Sequence, residues 1–336
     1  MVHLRILAPA DRVERALEVL SESPTVCNIS HFPRVGHKSE GHLILCDVAR
    51  KEASIIIDDL RALEIHRAGS ISVTHVETHI SDAVDEAKKA AEDLPFGDEV
   101  VWEDVEAHTS EETALSINFV EFMAIAALIA AVGILLDSPI LVVGAMVVGP
   151  DFGPVAAACV AVVDKRIDLA KKSFAALGVA FPAAVAVVVV WSLLFKVTGL
   201  APDGPKASHP LTIFISNPDF FSFLIAWLAG TAGVLSLTSA KSGALIGVLI
   251  SVTTVPALGD IGLSIAYEDW EEMRGALIQL GVNMVGLFGG GIARLYVQRR
   301  VYEKRLRRHL QAADNDATGP ALDAIRSRLR TTRSHR

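Results

Sequence analysis

The chain has 336 residues, of which 51% are hydrophobic and 21% charged, with a formal net charge of −8. That composition is too apolar for an ordinary soluble enzyme, and the length is enough for two domains. The cysteines, Cys27, Cys46 and Cys159, form no CxxC pair; an odd number argues against a disulfide framework and for small buried side chains.

Residues 1–80 read as strand, helix, strand, strand, helix, strand. Val2–Ala8 alternates and stops at Pro9. Asp11 is placed to cap a helix through Leu20, with Val13, Ala16, Leu17 and Leu20 on one face. Val26–Phe32 and His42–Val48 are strand-like and flank the polar loop Pro33–Gly41. Lys51–Leu63 has helical spacing. Ile71–Ile80 alternates, which puts Ile71, Val73, His75 and Glu77 on one face. This order predicts a small α+β, ferredoxin-like cytoplasmic domain. Eight of the eleven histidines lie in this half: His3, His31, His37, His42, His66, His75, His79 and His108. Imidazole suits zinc, copper or nickel. The spacing matches no zinc motif, however, and surface or pH-responsive histidines are the expectation. No metal and no cofactor is expected.

Residues 81–117 are expected to form an acidic helix, Ser81–Leu94, stopped by Pro95, and an acidic solvated linker. From Asp82 to Thr113 there are twelve acids against two lysines. No apolar stretch precedes this point, so the N-terminal segment is expected to stay in the cytoplasm.

Residues 118–296 predict a helical transmembrane domain of six crossings, each needing about 20 apolar residues. They are Asn118–Leu136; Ile140–Val163, broken at Gly149-Pro150-Asp151-Phe152-Gly153-Pro154; Ser173–Thr198, containing Pro182; Phe220–Thr238; Ser242–Ala266, broken at Thr253-Thr254-Val255-Pro256 and at Gly259-Asp260; and Met273–Leu295, ending in Gly289-Gly290-Gly291. Lys165, Arg166, Lys171 and Lys172 fall in one inward connection, Lys241 in another, and Arg294, Arg299 and Arg300 at the end. With both termini cytoplasmic, every inward segment obeys the positive-inside bias of a bacterial or archaeal inner membrane. Each half reads as one helix, one broken helix, a charged connection and one helix. Three crossings per half predict an inverted repeat.

Ionisable groups at membrane depth are functional candidates by default. Asp151 leads, twelve residues beyond Pro139 and so about 18 Å along a helix. It either lines an ion or solute pathway or caps a half-helix beginning near Pro154, and the two roles are compatible. Glu121, Thr253, Thr254, Asp260, Asn118 and Asn283 complete the candidate pathway. Glu121 lies where it can snorkel to the surface, and Asn283 is expected to bond a neighbouring helix. Asp137-Ser138-Pro139 reads as a cap with a first-turn proline. Gly243-x-x-x-Gly247 and the Gly230/Gly233 pair allow close helix approach.

Residues 297–336 are a basic cytoplasmic tail. From Arg294 onward there are twelve Arg or Lys against four acids. Directly after a membrane helix, Arg299–Arg308 is expected to meet anionic lipid headgroups rather than nucleic acid. The membrane domain is expected to assemble as a homo-oligomer. HExxH, GxSxG, a glycine-rich phosphate loop and a Ser-His-Asp set are all absent, so no enzyme is expected.

Three stretches, Asn118–Met123, Ile134–Ile140 and Val143–Pro154, resemble a bacterial and archaeal family of hydrophobic membrane proteins, domain of unknown function 389. The resemblance is specific through about Lys172 and looser beyond. It implies a membrane protein and carries over no catalytic residue. Two functions remain open from the sequence. One is a transporter or channel for a small solute or ion, regulated by the N-terminal domain. The other is a membrane-anchored sensor or oligomeric scaffold whose soluble domain binds a nucleotide, small molecule or metal.

Overall fold

The structure, a computed structural model, describes residues 1–34, 41–76, 78–92, 115–201, 210–238 and 252–315. It divides into two compact units, Met1–Asp104 with Gln298–Arg336, and Val105–Val297. In the first unit the elements are β1 (Val2–Pro9), α1 (Val13–Glu22), β2 (Val26–Phe32), β3 (Gly41–Val48), α2 (Arg50–Ala62), α3 (Ile65–Ala68), β4 (Ser70–His75) and α4 (Asp82–Glu92). The strands form one antiparallel sheet in the order β2-β3-β1-β4. Strand periodicity turns Val2, Leu4, Ile6 and Ala8 to one face, where they pack with Ala16, Leu20, Ile56 and Leu60 of the helices. Each large side chain buried there contributes about 1.5–3 kcal/mol.

Local details differ from the sequence reading. Helix α1 starts one residue after Arg12, which occupies the cap position without a side-chain cap bond, so Asp11 does not cap it. Arg12 instead donates to the Leu63 carbonyl at 2.8 Å and ties α1 to the end of α2. Strand β4 stops at His75, so His75 and His79 do not share a strand face. The side chain of His79 is drawn to a carboxylate on β3 instead.

The second unit holds α5 (Ile117–Leu135), α6 (Pro139–Val148), α7 (Phe152–Val163), α8 (Ile167–Thr198), a 3-10 turn at Ile213–Ile215, α9 (Phe220–Thr238), α10 (Thr254–Tyr267) and the start of α11 (Trp270–Asn315). Helices α5, α8, α9 and α11 are each long and apolar enough to cross a membrane, and α6 with α7 forms a pair bent by 53°. The expected six crossings thus become four single helices and one broken one among the described residues. The remaining crossing, Ser242–Ala266, lies partly outside them, as do Lys241 and the Gly243/Gly247 pair; its described part, α10, has 14 residues and is too short to cross alone.

Three expectations are corrected. Gly259-Asp260 does not interrupt a helix; both lie inside α10, where Gly259 brings it against the Ala127 carbonyl and Ala131 amide of α5. Gly289-Gly290-Gly291 does not end the last span, because α11 continues through it. A Cβ at Gly290 would sit 2.0 Å from the Trp227 carbonyl, so this run serves helix approach rather than termination. Lys171 and Lys172 belong to α8, and the connection before it shrinks to Asp164–Arg166.

Small residues face inward and large apolar ones outward, as expected for a bundle in lipid. Ala126, Ala127, Ala130, Ala180 and Ala184 are buried between α5 and α8, whereas Val190, Leu194, Phe221, Leu228 and Val285 are exposed. Each half sends its short helix to the other half. Helix α10 packs on α5 and α8, and α7 meets α11, where the Cys159 thiol points at the Phe288 carbonyl. Both short helices end alike. Lys165 and Glu268 take left-handed φ values of 56° and 62°. The next amide reaches back five residues, Arg166 to Ala161 at 2.8 Å and Asp269 to Ser264 at 2.9 Å, which satisfies carbonyls the helix end leaves open.

From the α9 side, the close approach to α11 is at Gly230, where a Cβ would stand 2.2 Å from the Leu287 carbonyl. Gly230→Val forces the backbones apart and is expected to cost about 1–3 kcal/mol. It lowers the thermal midpoint in detergent, while Gly178→Ala, with open space around it, leaves the midpoint unchanged.

Candidate functional site

Proline chemistry creates the site. Pro150 and Pro154 have no N–H, so the carbonyls four residues earlier, Met146 and Pro150, lose their regular helical donor. Pro256 does the same to Val252. Helix α6 therefore ends at Val148, and α7 restarts at Phe152 rather than near Pro154. Asp151 occupies the cap position of α7, but its carboxylate makes no cap bond. Capping is thus not its role, and the pathway reading keeps its candidate. On the other half, α10 begins at Thr254 with Thr253 as its cap residue.

The two breaks meet. A Cβ at Gly149 would lie 2.4 Å from a methyl carbon of Val255 and 3.5 Å from the Asp151 carboxylate. Only glycine lets the first break close on the second here. Asp151 is 7% exposed and Thr254 fully buried. The Thr254 hydroxyl lies beside the Asp151 carboxyl but makes no hydrogen bond of regular geometry with any described group.

Thr253 joins this centre to α11. Its hydroxyl accepts from Asn283 Nδ2 at 2.8 Å and from Gln279 Nε2 at 3.0 Å, and Gln279 also donates to Asn283 Oδ1 at 3.3 Å. Gln279 and Asn283 are each 2% exposed. Gln279 was not anticipated from the sequence, although its spacing of four residues from Asn283 on one helix face was a usable signal. Its own oxygen has no partner among the described groups.

The structure thus brings Asp151, Thr253, Thr254 and Asn283 together with Gly149, Pro150, Gly153, Pro154 and Pro256. Asp260 stands apart, six residues and about 9 Å further along α10, 1% exposed and accepting from Ser264 at 3.3 Å. Asn118 and Glu121 lie exposed in the first turns of α5, outside the buried centre. Asp137 takes a left-handed φ of 49°, and its carboxylate accepts from Leu211 N and Thr212 Oγ1, tying a loop rather than capping α6. Between Ile140 and Val163, and between Ser242 and Ala266, the sequence contains no Lys, Arg or His.

A second polar cluster lies in the first unit around Asp47 on β3, which is 5% exposed. Its carboxylate receives His3 Nδ1 at 2.8 Å, Asn28 Nδ2 at 2.8 Å and His79 Nε2 at 3.1 Å. Asn28 reaches it from an irregularity in β2, with a left-handed φ of 53°. Burial pushes the Asp47 carboxyl up, but the bonds from Asn28, His3 and His79 and the nearby His3 charge outweigh it. They hold the group below the usual carboxylate range. Among the described residues no group of three His, Cys, Asp or Glu is arranged to hold a metal ion. At the far end of α11, Tyr302 donates to Asp58 of α2 at 2.7 Å, and Arg305 donates to the Lys51 carbonyl and pairs with Glu52 at 3.7 Å.

Long apolar helices around a broken one, together with a small α+β unit, define a helical membrane protein of two compact units. Residues 146–288 match the family model described as Domain of unknown function (DUF389), a stretch that includes the Gly149–Pro154 residues on which the sequence resemblance rested. The matched stretch includes both breaks and extends well past the part where the sequence resemblance was specific. The chain is also similar to an uncharacterized protein of Methanocaldococcus jannaschii, 29% identical over 185 residues, which are 54% of this chain and 52% of that protein. The match therefore spans about half the length of that relative. No solved structure matches the chain.

Because Asp47 is held below its ordinary range, it stabilises the folded domain above the unfolded carboxylate pKa of about 3.9, and that contribution is lost as pH falls through the folded value. Asp47→Asn is expected to cost about 1–3 kcal/mol at pH 7, with the deficit shrinking below about pH 4. Urea unfolding of the full chain, followed by hydrogen exchange in β1 and β3, measures both.

Proposed function

We propose that this protein is a transporter or channel for a small solute or ion, with its pathway at the paired breaks. One observation carries the reading: Asp151 is buried where the broken helix pair meets the start of α10, and no cationic side chain is available from either broken segment. A carboxylate at membrane depth is too costly to keep for packing alone. Backbone freed by proline is tolerated there only where protein or a wet path receives it. We take the two halves as an inverted repeat, supported by the exchanged short helices and their matching ends, with alternating movement of the halves about the breaks.

The soluble domain is read as ferredoxin-like, on the strength of its connection order and sheet order, and as the regulator of the pathway. The bonds from Tyr302 and Arg305 to α2 support this role. They also direct Arg305 to protein rather than to lipid, and the anionic headgroups are read as meeting Arg307 and Arg308. Both termini are placed in the cytoplasm of a bacterial or archaeal cell, following the positive-inside bias.

Reconstitution in liposomes tests the reading. Flux is followed with a membrane-potential dye, a pH dye and a panel of labelled small solutes. The full chain is expected to conduct at least one of them, and Asp151→Asn, which preserves shape, to slow it by about tenfold or more. A correctly folded protein that leaves the liposomes sealed to the whole panel contradicts the proposal.

A further inference from the structure

Apart from Glu121 in the first turns of α5, the charged side chains inside the apolar lengths of the broken segments and spans are Asp151 and Asp260. The stretches Ser173–Phe195, Phe220–Ala240 and Gly275–Ala293 contain no Asp, Glu, Lys, Arg or His. We infer that the meeting point of the two breaks is a binding site for a small monovalent cation of the sodium class, held by the Asp151 carboxylate and the Thr254 hydroxyl. This rests on the pathway reading for its purpose, but its geometry stands independently.

The donor chemistry selects the ligand. Among the described groups at the centre, those without a hydrogen bond of regular geometry are oxygens: Thr254 Oγ1, fully buried beside the Asp151 carboxyl, and Gln279 Oε1, on a side chain 2% exposed. The carbonyls of Pro150 and Val252, deprived of helical donors by Pro154 and Pro256, lie within two residues of Asp151 and Thr254. An oxygen-only set suits a hard cation; no imidazole or thiol is present to favour a transition metal. One carboxylate balances one positive charge, whereas tight divalent sites draw on more. A carboxylate also repels an anion. A buried hydroxyl left without a well-aligned bond costs up to about 1–3 kcal/mol, and a cation shared with Asp151 would offset that cost. The half-helix ends and unwound backbone supply the same kind of site in other broken-helix transporters.

Thermal unfolding of the purified full chain in sodium, potassium and choline chloride, at one ionic strength and one pH, tests the site. Sodium is expected to raise the midpoint by several degrees over choline and to saturate. Thr254→Val, which keeps the volume, raises the half-saturating sodium concentration about tenfold, and Asp151→Asn abolishes the effect. Equal midpoints in all three salts overturn the inference. So does a sodium effect that both variants retain, or a shift that follows pH alike in every salt, which would mark a proton site only. Sodium-dependent stabilisation without liposome flux would defeat the transport reading and leave this site standing. Flux without any salt-specific shift would do the reverse.

Discussion

A proline in a membrane helix removes the donor for the carbonyl one turn earlier, and lipid offers nothing in its place. The architecture of the second unit follows from where this chain puts that problem. Pro150 and Pro154 interrupt one crossing and Pro256 opens another helix. The freed segments are brought against each other at Gly149 and Val255, away from the outer surface. Once the breaks face inward, α10 lies across α5 and α8, and α7 packs on α8 and reaches α11. The alanine surfaces of α5 and α8 then become the seat for α10, and the glycines of α11 the seat for α9 and α7.

The same constraint concentrates polarity. A half-buried threonine at the second break gathers two amides from α11, and a carboxylate at the first break lies beside its neighbour. In a medium without water such groups persist only when they satisfy one another or serve a ligand. The Thr253, Gln279 and Asn283 bonds belong to the first case. Thr254 and Asp151, side by side without a regular bond, fit the second.

Much of this was legible because membrane spans announce themselves by length and composition. The first and fourth spans lie within about one residue of their expected limits, and the bent pair falls at the expected Gly-Pro run. The order of strands and helices in the first unit was also readable, since alternation and helical spacing differ there. What the sequence hid was tertiary. Gly259-Asp260 looked like a break because glycine and a charge disfavour a helix, yet packing against α5 rewards the missing side chain. The glycine run in α11 was hidden in the same way. Gln279 offers only its four-residue spacing from Asn283 as a signal; its role depends on where α10 begins. Asp137, Lys165 and Glu268 close helices in left-handed conformations normally given to glycine. His79 was assigned to a strand that ends at His75, and its ring bonds Asp47 instead.

The central claim is that the two breaks face each other, and a cross-link measures it most directly. An ideal Cβ at Gly149 stands 3.6 Å from the Cβ of Val255, within the range a disulfide spans. The Gly149→Cys, Val255→Cys pair also removes the valine methyl that a new side chain would meet. In full-length protein with Cys27, Cys46 and Cys159 replaced by alanine, mild oxidation is predicted to join the two positions within one chain. The bond should be readable as a cross-linked peptide after digestion. Folded double-cysteine protein that keeps both thiols free under conditions that oxidise a control pair would contradict the account.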